Sequence, residues 1–260
     1  MKLIRKATLT AALLATAAIV GKATPAQAFS LYFGEDLSQN ENIRLTTTPK
    51  ANAARNDFLS QLVGVGTETF ESYNASTGAP LSIGFGNAGT ATMGGSGYVE
   101  RTPSGTSLGR YPISGDKYWL STGQFSITFS KQVAAFGFYG TDIGDFNGQL
   151  TLTLINSLTN FSQTILVPHT IGSNGRGGGS ALYFGLIASQ NEVFDRILFG
   201  NTAPGTDVFG FDNMTIGALD QVVQPQPEEP VPEPLTMAGM ALGGAMLAGA
   251  RRVRQGRQKA

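Results

Sequence analysis

The chain has 260 residues, with 18 basic and 18 acidic side chains, one histidine and no cysteine. Metal or redox chemistry through thiolates is therefore excluded, as is any metal site built from several histidines. The zero net charge conceals an uneven distribution, because residues 29–230 hold nine basic and 17 acidic side chains, a formal charge of −8. A negative surface repels phosphate, so the sequence predicts no nucleic-acid partner.

Residues 1–28 have the pattern of a secretory signal peptide. A basic start precedes an apolar run over 13–20, and Ala26 and Ala28 form an A-x-A cleavage site. That order of features is typical of segments that signal peptidase removes. We therefore expect export, with Phe29 as the mature N-terminus.

Residues 29–66 are predicted to form an N-terminal arm and one short helix. The arm, over 30–48, has no regular pattern and is expected to be irregular. Thr48 can cap a helix that starts at Pro49, and Gly64 can stop it. The face that this helix would bury is apolar: Ala54, Phe58, Leu59 and Leu62.

Between residues 67 and 220 the period of the sequence changes to two. Polar residues such as Ser126 and Thr128 alternate with apolar ones, and Thr151 and Thr153 repeat the pattern further along. Short alternating segments separated by glycine-rich turns favour half-buried antiparallel strands. The predicted fold is all-β, a jelly-roll-type antiparallel β-sandwich with one short helix on its N-terminal side.

The C-terminal part changes composition twice. Residues 221–234 form a proline-rich linker, 235–250 are apolar and rich in glycine and alanine, and 251–260 are basic. A helix over 235–250 would be slightly shorter than a bilayer core of about 30 Å. Positive charge after it predicts a membrane helix with its C-terminus in the cytoplasm.

The end of the chain resembles the PEP-CTERM sorting signal of bacteria. Val231, Pro232, Glu233 and Pro234 precede the apolar segment and the terminal arginines in the order of that signal. The resemblance implies processing near this element by an exosortase-type membrane enzyme, followed by transfer to the cell surface or the extracellular matrix. An ordinary membrane anchor is the alternative.

Residues 29–230, which we call the body of the protein, resemble the β-rich ectodomains that PEP-CTERM proteins carry. Three stretches support this likeness: FLSQLVGVGTETFESY, FSITFSKQVAAFGFYGTDIGDFNGQLTL and DVFGFDNMTIG. The resemblance implies a jelly roll similar to lectins or carbohydrate-binding modules, without naming a sugar.

Two groups of acidic residues are candidates for structural calcium. Asp142, Asp145 and Asn147 offer short oxygen ligands before a glycine, although an EF-hand spacing is not met. A turn in which these side chains bond their own backbone is the alternative.

Asp212 lies between apolar neighbours in a predicted core strand and therefore needs a partner. The resemblance to jelly-roll binding modules suggests a second calcium site, formed by Asp212 with Glu68 or Glu71. A backbone turn is again the alternative.

Four aromatic residues are candidates for a platform on which sugar rings stack, because aromatic faces are apolar and their edges polar: Trp119, Tyr118, Tyr111 and Tyr98. Filling of the core is the alternative for Trp119, and the stronger one.

The sequence predicts a non-enzymatic exported protein that associates with polysaccharide. A serine hydrolase is disfavoured because its triad would have to use the single histidine, His169, and a lone histidine near a strand end is more often a solvated surface group. An envelope glycan hydrolase and a purely structural matrix component remain the alternatives.

Overall fold

The computed structural model describes residues 29–38, 40–144, 148–169, 178–189, 192–202 and 208–223. The signal peptide, the Val231–Pro234 element and the apolar segment 235–250 lie outside these ranges, so the predictions for them stay predictions. Within the described ranges, no helix is long and apolar enough to span a membrane.

The described chain is mostly β-strand, with a single α-helix among the described residues. Its elements, in chain order, are β1 Phe29–Asp36, α1 Pro49–Ser60, β2 Thr67–Glu68, β3 Leu81–Gly84, β4 Thr90–Arg101, β5 Lys117–Val133, β6 Ala135–Thr141, β7 Leu150–Asn156, β8 Phe161–Leu166, β9 Ala181–Ala188, β10 Phe194–Asn201 and β11 Phe209–Gly217. Short 3-10 turns lie at Gly86–Ala88 and Leu219–Gln221.

All described strand pairs are antiparallel, which confirms the predicted all-β class. The strands follow the path β1-β9-β6-β11-β5-β10-β7-β8, with β2 beside β11 and β4 joining β3 to β5. The long strand β5 pairs with β11 through Trp119–Ser121 and with β10 through residues 125–128. It therefore runs through both halves of the sheet.

The sheet folds over so that its two halves enclose an aromatic core. Phe199 of β10 lies 6.0 Å from Phe136 and 5.9 Å from Phe138 of β6, although β11 and β5 separate these strands along the sheet. Phe125 stacks on Phe199 at 4.0 Å, and Phe138 stacks on Phe211 at 4.8 Å. Such contacts between distant strands are those of two packed layers, as in a β-sandwich.

The alternation that predicted the strands matches the observed burial. Phe125, Ile127 and Phe129 of β5 are buried, while Ser126 and Thr128 point outward. In β7 the leucines are buried between half-buried threonines. Polar residues therefore cover the outer face of this half of the sheet.

The N-terminal arm differs from its prediction. Phe29–Asp36 is strand β1, paired residue for residue with Ala181–Ala188 of β9, rather than an irregular segment. The partner strand β9 lies about 150 residues away in the sequence, and a local sequence pattern does not predict a pairing over such a distance. The first part of the arm is therefore an edge strand of the sheet, at one end of the strand path.

The predicted helix is present, and its buried face is the expected one. Ala51, Ala54 and Phe58 of α1 pack with Tyr139 and Tyr183 against the outer face of β6 and β9. The N-terminal cap differs, because Thr48 makes no capping bond. Instead, Asp36 Oδ2 accepts from Ala51 N at 2.9 Å and Oδ1 accepts from Lys50 N at 3.2 Å. The end of β1 thus stabilises the start of α1.

Candidate functional site

A polar cleft opens where the chain passes from β1 into α1. It has a volume of about 260 Å³ and lies between the segment 44–48, the first turn of α1 and the segment 111–113. We call it the Arg44 cleft, and its lining consists of Arg44, Leu45, Thr46, Thr47, Thr48, Asn52, Tyr111, Pro112 and Ile113. Thr46, Thr47 and Asn52 are exposed, whereas Thr48, Tyr111 and Pro112 are buried.

Arg44 is the charged residue of this lining. Its Nη2 donates a hydrogen bond to the carbonyl oxygen of Pro112, and its Cζ lies 5.3 Å from the ring centroid of Tyr111. A guanidinium over an aromatic face is attracted by the ring. Tyr111 is itself fixed, because its hydroxyl donates to Gly179 O at 2.8 Å. Burial raises the pKa of Tyr111 to about 12, so its hydroxyl stays protonated.

Asn52 forms the wall on the helix side. Its Oδ1 accepts hydrogen bonds from Tyr139 Oη at 2.6 Å and from Thr48 Oγ1 at 3.2 Å. Among the described residues, its Nδ2 amide has no acceptor. The side chain is thus oriented by two hydroxyls and keeps its donors for a ligand.

The opposite wall, segment 110–114, is held at one end by a buried ion pair. Arg110 Nη1 lies 2.7 Å from Asp142 Oδ2, with the side chains only 13% and 3% exposed. The same Nη1 donates to Val208 O at 3.3 Å. A buried carboxylate without this partner would be strongly destabilising. Asp142 therefore fixes the start of the wall.

Asp212 holds the other end of the wall formed by segment 110–114. Its Oδ2 accepts from Ile113 N at 2.8 Å and from Ser114 N at 3.1 Å, and its Oδ1 accepts from Asn213 N at 2.7 Å. The carboxyl is almost completely buried, and desolvation raises its pKa to about 8, although the three N–H donors act in the opposite direction. Asp212 thereby joins the core strand β11 to the wall of the cleft.

These contacts bear on the predicted calcium ligands. Asp142 pairs with a guanidinium and Asp212 accepts N–H donors, so both carboxyl groups have protein partners in this structure, and calcium at either place stays a prediction. Asp145 and Asn147 lie outside the described residues. In the described part of the chain, no three acidic or histidine side chains are grouped as they would be around a metal.

Glu68 lies on β2, opposite Met214 of β11 and thus two positions along that strand from Asp212. Its Oε1 accepts a hydrogen bond from Phe70 N, and burial raises the pKa of its carboxyl. Glu71, its predicted alternative, accepts from Asp116 N at 2.9 Å and from Lys117 N at 2.6 Å. Backbone donors thus engage both side chains, as the turn alternative expects, and calcium at this place stays a prediction.

The predicted stacking platform is wrong. Trp119 and Tyr118 are both 0% exposed and Tyr111 is also buried, so none of these three rings presents a face to solvent, while Tyr98 is half-buried. Trp119 packs 6.4 Å from Phe70, and a Cβ on Gly97 would lie 2.4 Å from its Nε1 atom. The indole is therefore part of the core, which was the stronger alternative.

Of the residues that line the Arg44 cleft, the sequence pointed to Tyr111 alone as a candidate for sugar binding, and it gave no sign of the cleft itself. Arg44 and Tyr111 are 67 positions apart, and only the folded chain brings them together. The threonines of 44–48 fell within the arm that was expected to be irregular. A polar run, TTT, directly before a helix start is the one local signal that could have drawn attention to it.

Comparisons with known proteins give weak similarities. No family model and no curated protein matches the chain. Among solved structures, the C-terminal family 22 carbohydrate-binding module of a Clostridium thermocellum protein is 12% identical, with 62% of this chain and 97% of that one covered and a TM-score of 0.37.

Two further structures are similar at the same level. A xylan-binding domain from Paenibacillus barcinonensis is 13% identical, covers 62% of this chain and 96% of its own length, and has a TM-score of 0.34. The cleaved adhesin domain of Lys-gingipain is 12% identical, covers 58% and 98%, and has a TM-score of 0.39. Residue roles do not transfer across such distances.

Proposed function

We propose that the chain is an exported surface or matrix protein whose body binds polysaccharide through the Arg44 cleft without catalysis. The observation that carries this proposal is the lining of the cleft. Hydroxyls, an amide and a guanidinium converge on a concave space of about 260 Å³, within which Thr46, Thr47 and Asn52 are exposed. Such groups suit a polyhydroxylated ligand, since sugars both donate and accept hydrogen bonds.

A binding role agrees better with this lining than hydrolysis does. Glycoside hydrolysis ordinarily uses two carboxylates on either side of the scissile bond. None of the nine lining residues is acidic. The nearby Asp212 and Asp36 accept backbone N–H groups and hold the walls. An envelope hydrolase would thus lack its pair at this cleft.

The proposal for export and sorting rests on the two ends of the sequence. Signal peptidase would cut after Ala28, and an exosortase-type enzyme would cut near Val231–Pro234 while the segment 235–250 holds the protein in the membrane. The jelly-roll-type ectodomain would then remain at the cell surface or in the extracellular polysaccharide matrix.

Mass spectrometry of protein recovered from the cell surface tests the sorting proposal. The expected peptides start at Phe29, and none extends beyond about residue 235. Recovery of peptides from 251–260 in surface protein would indicate an ordinary membrane anchor instead.

A glycan array that displays neutral and acidic bacterial oligosaccharides tests the binding proposal. Saturable binding of the purified, fluorescently labelled protein to at least one class is expected. Absence of binding across the array, with the protein shown to be folded, would favour a purely structural matrix component.

A further inference from the structure

The Arg44 cleft holds N–H donors that no described acceptor uses. Arg44 uses one N–H group on the carbonyl oxygen of Pro112, and its other N–H groups have no acceptor among the described residues. Asn52 keeps its Nδ2 amide, because its Oδ1 accepts from two hydroxyls. The Pro112 carbonyl oxygen already accepts one of the Arg44 N–H groups. A ligand that contacts the remaining N–H groups of Arg44 and Asn52 must therefore bring acceptors.

The formal charge of the lining is also positive. Arg44 carries the one charge among the nine lining residues, and no carboxylate balances it there. Asp36 lies near enough to raise the pKa of Tyr111, but its two oxygens accept from Lys50 N and Ala51 N at the start of α1. The negative charge of Asp36 is thus directed to the helix terminus, where it is stabilised.

The aromatic wall is not available for stacking against a neutral sugar ring. The guanidinium of Arg44 covers the face of Tyr111 at 5.3 Å, and Tyr111 is only 2% exposed. Neutral glycans gain much of their binding from apolar contact with aromatic faces. With that face covered, recognition in this cleft depends on charge and hydrogen bonds.

The charge of the whole body does not oppose local recognition of an anion. Residues 29–230 carry a formal charge of −8. At an ionic strength of about 0.15 M, exposed charges are screened beyond about 8 Å. The attraction between a guanidinium and an anion at direct hydrogen-bond distance is not screened in this way. A guanidinium also binds a carboxylate in a bidentate geometry.

We infer that the Arg44 cleft binds an acidic sugar residue, whose anionic group pairs with the Arg44 guanidinium while its hydroxyls contact Asn52 and the threonines. This inference rests on the proposed glycan-binding function of the same cleft and specifies its ligand class. Two sources share the chemistry, a uronic acid carboxylate and a sulfate ester, and the experiment below separates them.

The test is isothermal titration calorimetry of the purified protein at about 0.15 M ionic strength. The probes are an oligogalacturonate trimer, the same trimer with its carboxyl groups reduced to alcohols, a sulfated neutral trimer, and inorganic phosphate. Charge-assisted hydrogen bonds are stronger than neutral ones, so the reduced trimer should bind about tenfold or more weakly than the uronate. Tighter binding of the sulfated trimer than of the uronate would identify sulfate as the anionic group.

Three variants locate the interaction. Arg44→Gln should weaken binding of the acidic trimer about tenfold or more, whereas Arg44→Lys keeps the charge and should weaken it less. Arg196→Gln removes an exposed cation from β10, far along the sheet path, and should leave binding unchanged. Thermal melting of each variant establishes that it is folded.

Three results would overturn the inference: binding of the reduced trimer as tight as that of the tighter-binding acidic trimer, no effect of Arg44→Gln, or binding of inorganic phosphate as tight as that of this acidic trimer. These differ from failure of the proposed function. If the reduced trimer binds as well as both acidic trimers, a glycan site remains and only its ligand class is wrong. If no trimer binds the folded wild-type protein, both the site and its ligand class are wrong.

Discussion

Arg110 Nη1 lies 2.7 Å from Asp142 Oδ2 in a largely buried ion pair, and this contact fixes the start of the segment that forms one wall of the Arg44 cleft. Asp212 fixes the other end through Ile113 N and Ser114 N. Two of the acidic residues that the sequence offered as metal ligands, Asp142 and Asp212, thus anchor one wall. They are positioning residues for the cleft, since neither lines it.

Replacement of Arg110 tests the importance of this anchor. Arg110→Met removes the guanidinium that pairs with the buried carboxylate of Asp142, so the free energy of unfolding should fall by about 3–5 kcal/mol. Arg101→Met is the matched control, because Arg101 pairs with Asp116 at 3.0 Å with both side chains about half exposed. An exposed pair contributes about 1 kcal/mol or less. Urea denaturation measures both variants, and equal losses would contradict the anchoring role.

Substitution of Gly97 tests the position of Trp119 in the core. In Gly97→Ala the new Cβ would lie 2.4 Å from Trp119 Nε1, at a backbone φ of 152°. The indole must shift within a packed core, which should cost about 1–3 kcal/mol of stability. Gly66→Ala is the control, since nothing lies within 4 Å of its Cβ position. If both variants melt at the wild-type temperature, the Trp119 ring is free to move and can reach the surface.

The pH dependence of stability tests the environment of Asp212. Its folded-state pKa of about 8 lies above the ordinary value of 3.8. The folded state therefore binds the proton more tightly, and this stabilisation is complete below about pH 4 and is lost as the pH rises to about 8. The difference in unfolding free energy between wild type and Asp212→Asn should decrease over that range.

Other carboxyl groups titrate in the same way in the wild type and in Asp212→Asn. Their contributions to the pH dependence therefore cancel in the difference between the two proteins. Urea midpoints at pH 4, 6 and 8 provide the measurement. A difference that grows with pH would mean that the three N–H bonds outweigh desolvation and hold the pKa below its ordinary value.

Chelation separates the calcium prediction from the turn alternative. Asp142 and Asp212 already have protein partners, so we expect the melting temperature to be the same in EDTA and in millimolar Ca²⁺. A drop in EDTA that Ca²⁺ reverses and Mg²⁺ does not would support the calcium alternative. Asp145→Ala, which alters the predicted loop outside the described residues, would then abolish the effect.

The strands and the helix could be predicted because their signals are local. The alternation of polar and apolar residues around Ser126 and Thr128 indicates which side of the strand faces water. Pro49, followed by an apolar face that includes Phe58, indicates a helix that packs on the sheet. Strand β1 could not be predicted, because its regularity comes from pairing with residues 181–188.

The cleft escaped prediction for the same physical reason. Arg44 meets Tyr111, and Asp36 rather than Thr48 caps α1, only because the fold brings β1, α1 and segment 111–113 together. The need of Asp212 for a buried partner was predictable from its apolar neighbours. The identity of that partner, two backbone amides 98 and 99 positions away, was not.

The most direct test of glycan binding at the Arg44 cleft is the glycan-array signal of three proteins measured side by side. Thr47→Trp places a large ring in the cleft, and Thr128→Trp places the same ring on the outer face of β5. We predict that the wild type and Thr128→Trp bind the same oligosaccharides and that Thr47→Trp loses them. Retained binding by Thr47→Trp, or loss only in Thr128→Trp, would contradict the assignment of the site to this cleft.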